Sequence, residues 1–127
     1  MKKVFFCCLI ILFFFSGCNS NANSSKEVGK SGSVNYVQAK ELMINSGAVM
    51  IDVRTKEEYD EKHINGAISL PVDEINEGSI KKIVDDKYDV IIVYCKSGSR
   101  SSKAVTIFNK LGYNNVYDLG AMSNWKE

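Results

Sequence analysis

From Val34 onward, short apolar runs alternate with stretches of helical spacing. Val49-Met50-Ile51-Asp52-Val53 is a near-continuous apolar run of strand length, the pattern of a strand covered on both faces. Val90-Ile91-Ile92-Val93-Tyr94 is the strongest such run in the chain, and Val116 to Leu119 is a third. Ala67 to Leu70 reads as a further strand, closed by Pro71. Between these runs, Gln38 to Ser46 is helical and stops at Gly47, a residue favoured just past a helix end. Thr55 followed by Glu58 gives the capping-box pattern for a short helix. Asp73 to Val84 predicts a weaker helix, interrupted by Gly78. Ser101 to Leu111 sets Ala104, Phe108 and Leu111 on one helix face and ends at Gly112. Ala121 to Lys126 adds a helical turn.

Strands alternating with helices predict an α/β fold with a parallel sheet covered on both faces. In such sheets, ligands bind beyond the carboxyl ends of the strands. Cys95 follows the strongest strand and precedes the helix expected from Ser101, so it stands where a site is expected.

The first 33 residues break this alternation. Lys2-Lys3 followed by the apolar run Val4 to Phe15 reads as a signal segment over residues 1–17. The run is too short to span a membrane, which takes roughly 20 residues. Phe15-Ser16-Gly17-Cys18 resembles the lipobox of bacterial lipoproteins, in which the cysteine is lipidated and becomes the new N-terminus. Phe15 departs from the aliphatic residue usual there, and the alternative is an ordinary signal peptide ending near a cysteine. The resemblance implies an extracytoplasmic protein anchored to a bacterial membrane through Cys18. Residues 18–33 then form a lipidated start and a tether rich in Ser, Asn and Gly, with a folded domain over residues 34–127. Fifteen residues of such a tether span about 20 Å.

Composition narrows the function classes. Hydrophobic residues make up 45% of the chain and charged ones 24%, which suits one globular core. Without Lys2 and Lys3 the chain carries 14 basic and 15 acidic side chains, a balance that does not call for nucleic acid. Of the four cysteines, Cys7 and Cys8 leave with the signal and the lipid consumes Cys18, so Cys95 is the one thiol expected in the mature chain. A lone thiol kept in an oxidising compartment suggests use, the alternative being a buried inert cysteine.

The Cys95 segment has the chemistry for use. Between a strand and a helix, the backbone N–H groups of Lys96, Ser97, Gly98, Ser99 and Arg100 can turn inward as a nest for an anion. The helix N-terminus adds partial positive charge, and Lys96 and Arg100 add two formal charges at the rim. A thiol there is expected to have a depressed pKa and to face a pocket for an anionic substrate.

Five motifs in order now carry a resemblance. Ile51-Asp52-Val53-Arg54-Thr55, Glu58-Tyr59, His63-Ile64-Asn65-Gly66-Ala67, Pro71 and Cys95-Lys96-Ser97-Gly98-Ser99-Arg100-Ser101 resemble those of a single-domain rhodanese, from about Val34 to the end. Asn65 stands where proline is common, and Gly120-Ala121 replaces a frequent Gly-Gly. The resemblance implies a rhodanese-like α/β fold with a mostly parallel five-stranded sheet and helices on both faces. It implies a sulfurtransferase in which Cys95 takes the outer sulfur of a small anionic donor such as thiosulfate. The sulfur is held as a persulfide and passed to cyanide or a thiol, with no further cofactor. The alternatives are a cysteine-dependent phosphatase or arsenate reductase and a non-catalytic rhodanese-like binding module. The phosphatase signature has five residues between nucleophile and arginine, whereas Cys95 and Arg100 are separated by four. The binding modules commonly lack the cysteine.

Asp52, Arg54, Glu58 and His63 are assigned to the scaffold around the site. Asp52 and Arg54 lie two apart on a strand and so share a face, as a salt bridge requires. His63 is the chain's single histidine, and attack by an existing thiolate needs no base from it. One histidine and one thiol do not make a metal site. Trp125 reads as a core plug near the chain end.

Overall fold

The computed structural model describes residues 31–127. Five strands form one sheet: β1 (Gly32–Ser33), β2 (Val49–Asp52), β3 (Ile68–Ser69), β4 (Ile91–Cys95) and β5 (Val116–Ala121). Their order is β1-β5-β4-β2-β3, and every pairing is parallel. Four α-helices connect them: α1 (Tyr36–Ser46), α2 (Lys56–Glu61), α3 (Glu77–Lys81) and α4 (Ser99–Lys110). Single 3₁₀ turns occur at Val72–Glu74 and Met122–Asn124.

The apolar run of β4 is explained by its central position. All five of its residues are buried, and they alternate between two cores as strand geometry requires. Ile91, Val93 and Cys95 face Ile80 of α3 and Ala104 and Phe108 of α4. Ile92 and Tyr94 face Ala39 of α1, Ile64 and Leu119. Fully burying a side chain of the Val or Ile class contributes about 1.5–3 kcal/mol, so β4 anchors both layers.

Local signals set the helix ends. α1 starts at a capping box between Asn35 and Gln38 and stops at Gly47, whose φ of 62° is left-handed. The capping box expected at Thr55 and Glu58 starts α2. The expected helix over Asp73–Val84 is broken earlier than Gly78. Asn76 and Ser79 exchange side chain-to-backbone hydrogen bonds that start α3, and Gly78 lies inside that helix. α4 begins at Ser99 rather than Ser101, directly after Gly98.

The folded part also starts earlier than expected. Gly32 and Ser33, assigned by composition to the tether, pair with Tyr117 and Asp118 of β5. Ser31 adds a hydroxyl bond to the side chain of Asn109 at 2.8 Å. Both strand residues are exposed, so this pairing rests on backbone groups that a hydropathy pattern does not register. The signal segment over 1–17, Cys18 and the tether up to residue 30 lie outside the described residues.

β5 carries an irregularity that shapes the site. Val93 pairs with Asp118 but Tyr94 pairs with Gly120, so Leu119 is an extra residue. Gly120 takes a φ of 78°, and its N–H donates to the Asp118 carboxylate at 2.7 Å. The bulge sets Gly120 against the cysteine loop, where a Cβ on Gly98 would lie 3.7 Å from the Gly120 Cα.

Candidate active site

Cys95 is the last residue of β4, with no exposed surface, and its loop runs directly into α4. The turn depends on Gly98, whose φ of 98° is a conformation that a side chain disfavours. In it the Gly98 N–H points back at the sulfur, 2.9 Å from Sγ. The Ser101 Oγ lies 3.6 Å from Sγ and donates to the Gly98 carbonyl at 3.0 Å.

Two opposing effects act on the thiol. Burial pushes its pKa up, while the N–H and hydroxyl of Ser101 and the N–H groups of Gly98 and Ser97 push it down. The hydrogen bonds win, and the thiol is held below its ordinary value. Neutral dipoles of the loop therefore favour the thiolate. Ser97 and Ser99 are themselves exposed, and Ser97 acts through its backbone.

The two rim cations expected from the sequence part company. Lys96 is exposed at the edge of a cleft of about 430 Å³, lined also by Arg54, Glu58, Glu61, Lys62, Met122 and Ser123. Arg100 is engaged elsewhere. Its Nη1 and Nη2 donate to the two carboxylate oxygens of Glu58 at 2.6 and 3.0 Å. Arg100 and the N–H and hydroxyl of Thr55 pull the Glu58 carboxyl down to about 2. Glu58 thus caps α2 and holds the arginine of the cysteine loop with one carboxylate.

Beneath the cleft floor, Arg54 donates through Nε and Nη2 to Asp52, with Nη2 to Oδ2 at 2.7 Å, and through Nη2 to the Lys62 carbonyl at 2.6 Å. The Tyr94 hydroxyl donates to Asp52 at 2.8 Å and accepts from the Ile64 N–H at 3.1 Å. This network ties β2 and β4 to the 62–64 segment, one residue before Cys95. The His63 ring stacks on Tyr59 at 3.8 Å, and its Nδ1 is 2.8 Å from the Tyr59 carbonyl. It belongs to the packing of α2 against this segment.

The chain matches the rhodanese-like domain family over residues 36–127. It belongs to that family. Thiosulfate sulfurtransferase PspE of Escherichia coli is 39% identical over 74 residues, covering 58% of this chain and 70% of PspE. Thiosulfate sulfurtransferase GlpE of Coxiella burnetii is 32% identical over 94 residues, covering 73% of this chain and 85% of GlpE. Among solved structures, a rhodanese with anions from E. coli superposes with a TM-score of 0.57 at 38% identity, over 61% of this chain and 89% of that one. A human single-domain sulfurtransferase superposes with a TM-score of 0.62 over 76% of this chain and 96% of that one. At 23% identity, that second likeness speaks for the fold alone. Together with the cysteine loop, these relatives make the chain a sulfurtransferase of the rhodanese type.

Two contributors were not assigned a role from sequence. Ser101 becomes visible once α4 is started at Ser99, because its N–H then lies in the first turn and faces back to Cys95. Tyr94 reads in sequence as one more apolar strand residue, and only its hydroxyl partners reveal its bracing role.

Proposed function

We propose that the protein moves sulfane sulfur from a small anionic donor of the thiosulfate type to cyanide or a thiol, through a persulfide on Cys95. The observation that carries this reading is the convergence of loop N–H groups on a buried Sγ at the carboxyl end of β4, with the Ser101 Oγ 3.6 Å away. The Cys95 thiolate attacks the outer sulfur of the donor. A bond forms between Sγ and that sulfur, the donor's S–S bond breaks, and sulfite leaves with the electron pair. The terminal sulfur of the persulfide then carries the negative charge that the loop dipoles favour. A nucleophilic acceptor attacks that sulfur and takes it as thiocyanate or as a new persulfide, and the Cys95 thiolate returns. Names of relatives acting on thiosulfate support the donor class.

Mass spectrometry after exposure to thiosulfate is expected to show a gain of one sulfur atom on Cys95. The Cys95→Ser variant is expected to stay folded and lose turnover. Transfer from thiosulfate by that variant would overturn the assignment.

We further propose that the domain works outside the cytoplasm, held on a bacterial membrane by lipid on Cys18. The basic start, the apolar run Val4 to Phe15 and the Ser16-Gly17-Cys18 sequence support this. Stable attachment takes two acyl signals. Cys18→Ala is expected to abolish labelling by radioactive palmitate and to release the protein from the membrane fraction. An unchanged membrane-bound fraction would contradict it.

A further inference from the structure

Three basic side chains, Arg54, Lys62 and Lys96, line the cleft, and a fourth, Arg100, adjoins it through Glu58. Two of them are already taken. Arg54 is committed to Asp52 and the Lys62 carbonyl, and Arg100 gives both terminal nitrogens to Glu58. Lys62 and Lys96 line the cleft and form no ion pair among the described residues. Facing them from the same cleft are the carboxylates of Glu58 and Glu61. Arg54 with Asp52 and Arg100 with Glu58 each sum to zero, so a site that looks strongly cationic in sequence keeps only two lysines against Glu61 and is weakly cationic.

Glu58 has little freedom to let Arg100 go. Its Oε2 accepts from the Thr55 N–H at 3.0 Å and from the Thr55 hydroxyl at 3.1 Å, besides the Arg100 Nη1 at 2.6 Å. The cap of α2 thus fixes the carboxylate that occupies the arginine. The pair is at the surface, with the Arg100 and Glu58 side chains 31% and 28% exposed. A guanidinium in that place, if free, would be a forked donor suited to an oxyanion.

We infer that Glu58 is a positioning residue for substrate charge: by holding Arg100, it keeps the site from favouring dianionic sulfur donors over singly charged ones. The inference rests on the sulfur-transfer reading and refines its donor class. With the arginine withheld, the cleft discriminates by the two lysines alone, opposed by Glu61. Donors of one negative charge, such as organic thiosulfonates and persulfides, then compete with thiosulfate on nearly equal electrostatic terms.

The test compares persulfide formation on Cys95 from thiosulfate, a dianion, and from benzenethiosulfonate, a monoanion. In Glu58→Gln, the ratio of kcat/KM for thiosulfate to that for benzenethiosulfonate is expected to rise about fivefold, the upper range for a solvent-facing ion pair. The gain is expected as a fall in KM for thiosulfate and to grow with falling ionic strength. Adding Arg100→Gln to that variant is expected to erase the gain, which separates release of the arginine from mere loss of a negative charge. A purely structural role for Glu58 would depress both donors together and leave the ratio unmoved, and that result overturns the inference. If Glu58→Gln does not fold, the wild-type protein still decides: a thiosulfate to benzenethiosulfonate ratio that falls steeply with salt would show a strongly cationic site and overturn it. Absence of a Cys95 persulfide from either donor in the wild-type protein would instead remove the sulfur-transfer reading, and the inference with it.

Discussion

Asp52–Arg54 and Glu58–Arg100 are both arginine–carboxylate pairs beside the same cysteine, yet they do different work. The first is sealed, with Asp52 wholly buried and the Arg54 side chain 8% exposed. Asp52 accepts from the Tyr94 hydroxyl and from the Arg54 N–H as well as from the guanidinium, so its oxygens are well supplied with donors. The second opens to solvent at the cleft and joins segments that are 42 residues apart. Burial turns one pair into architecture, because neither partner can be left alone in the core without a large desolvation cost. Exposure leaves the other worth little to stability, since water can solvate either partner once the pair is removed.

The contrast breaks most visibly in stability. Asp52→Asn leaves the Arg54 charge uncompensated and is expected to cost about 3–5 kcal/mol. Glu58→Gln is expected to cost under about 1 kcal/mol. Urea denaturation followed by circular dichroism ranks the two, and a costlier Glu58→Gln would reverse the assignment of roles.

Acid gives a smaller and sharper test. The Glu58 carboxyl is lowered from 4.5 to about 2 in the folded protein. A carboxyl depressed on folding contributes stability that is fully present above its unfolded pKa and lost as pH falls through the folded one. The stability gap between wild type and Glu58→Gln is therefore expected to hold above pH 4.5 and to close as pH falls towards 2. A gap unchanged across that window would mean that the ionised carboxylate is not what matters.

These pairs also mark where sequence stops being sufficient. Asp52 and Arg54 are two apart on a strand, so their meeting is legible from backbone period alone. The α2 capping box, the Gly47 stop, the β4 strand and the position of Cys95 after it are legible for the same reason, because each depends on near neighbours. Glu58 reads locally as a helix cap, and its second partner depends on how α2 and the cysteine loop are brought together in space. Arg100 accordingly reads as a free rim charge when it is a paired one. β1 escapes notice for another reason, since Gly32 and Ser33 bury no side chain and join the sheet by backbone alone. The fold class and the placement of Cys95 are local in origin, whereas the charge around it is a tertiary property.

The sheet order β1-β5-β4-β2-β3 makes the first strand the neighbour of the last. Ser31 and Asn114, which bond at 3.1 Å, are 83 positions apart in the chain. When the polypeptide emerges from its N-terminus, residues 32–33 must wait for β5 before they have anything to pair with. The start of the domain is then fastened last, after a long loop closure that is entropically costly and slow. That fastening is a clasp only two residues long, on an open edge. A pull on the chain ahead of Ser31 would reach this clasp before either hydrophobic layer. The junction between the domain and whatever precedes it can open while the cradle of Cys95, built on β4 and α4, stays shut.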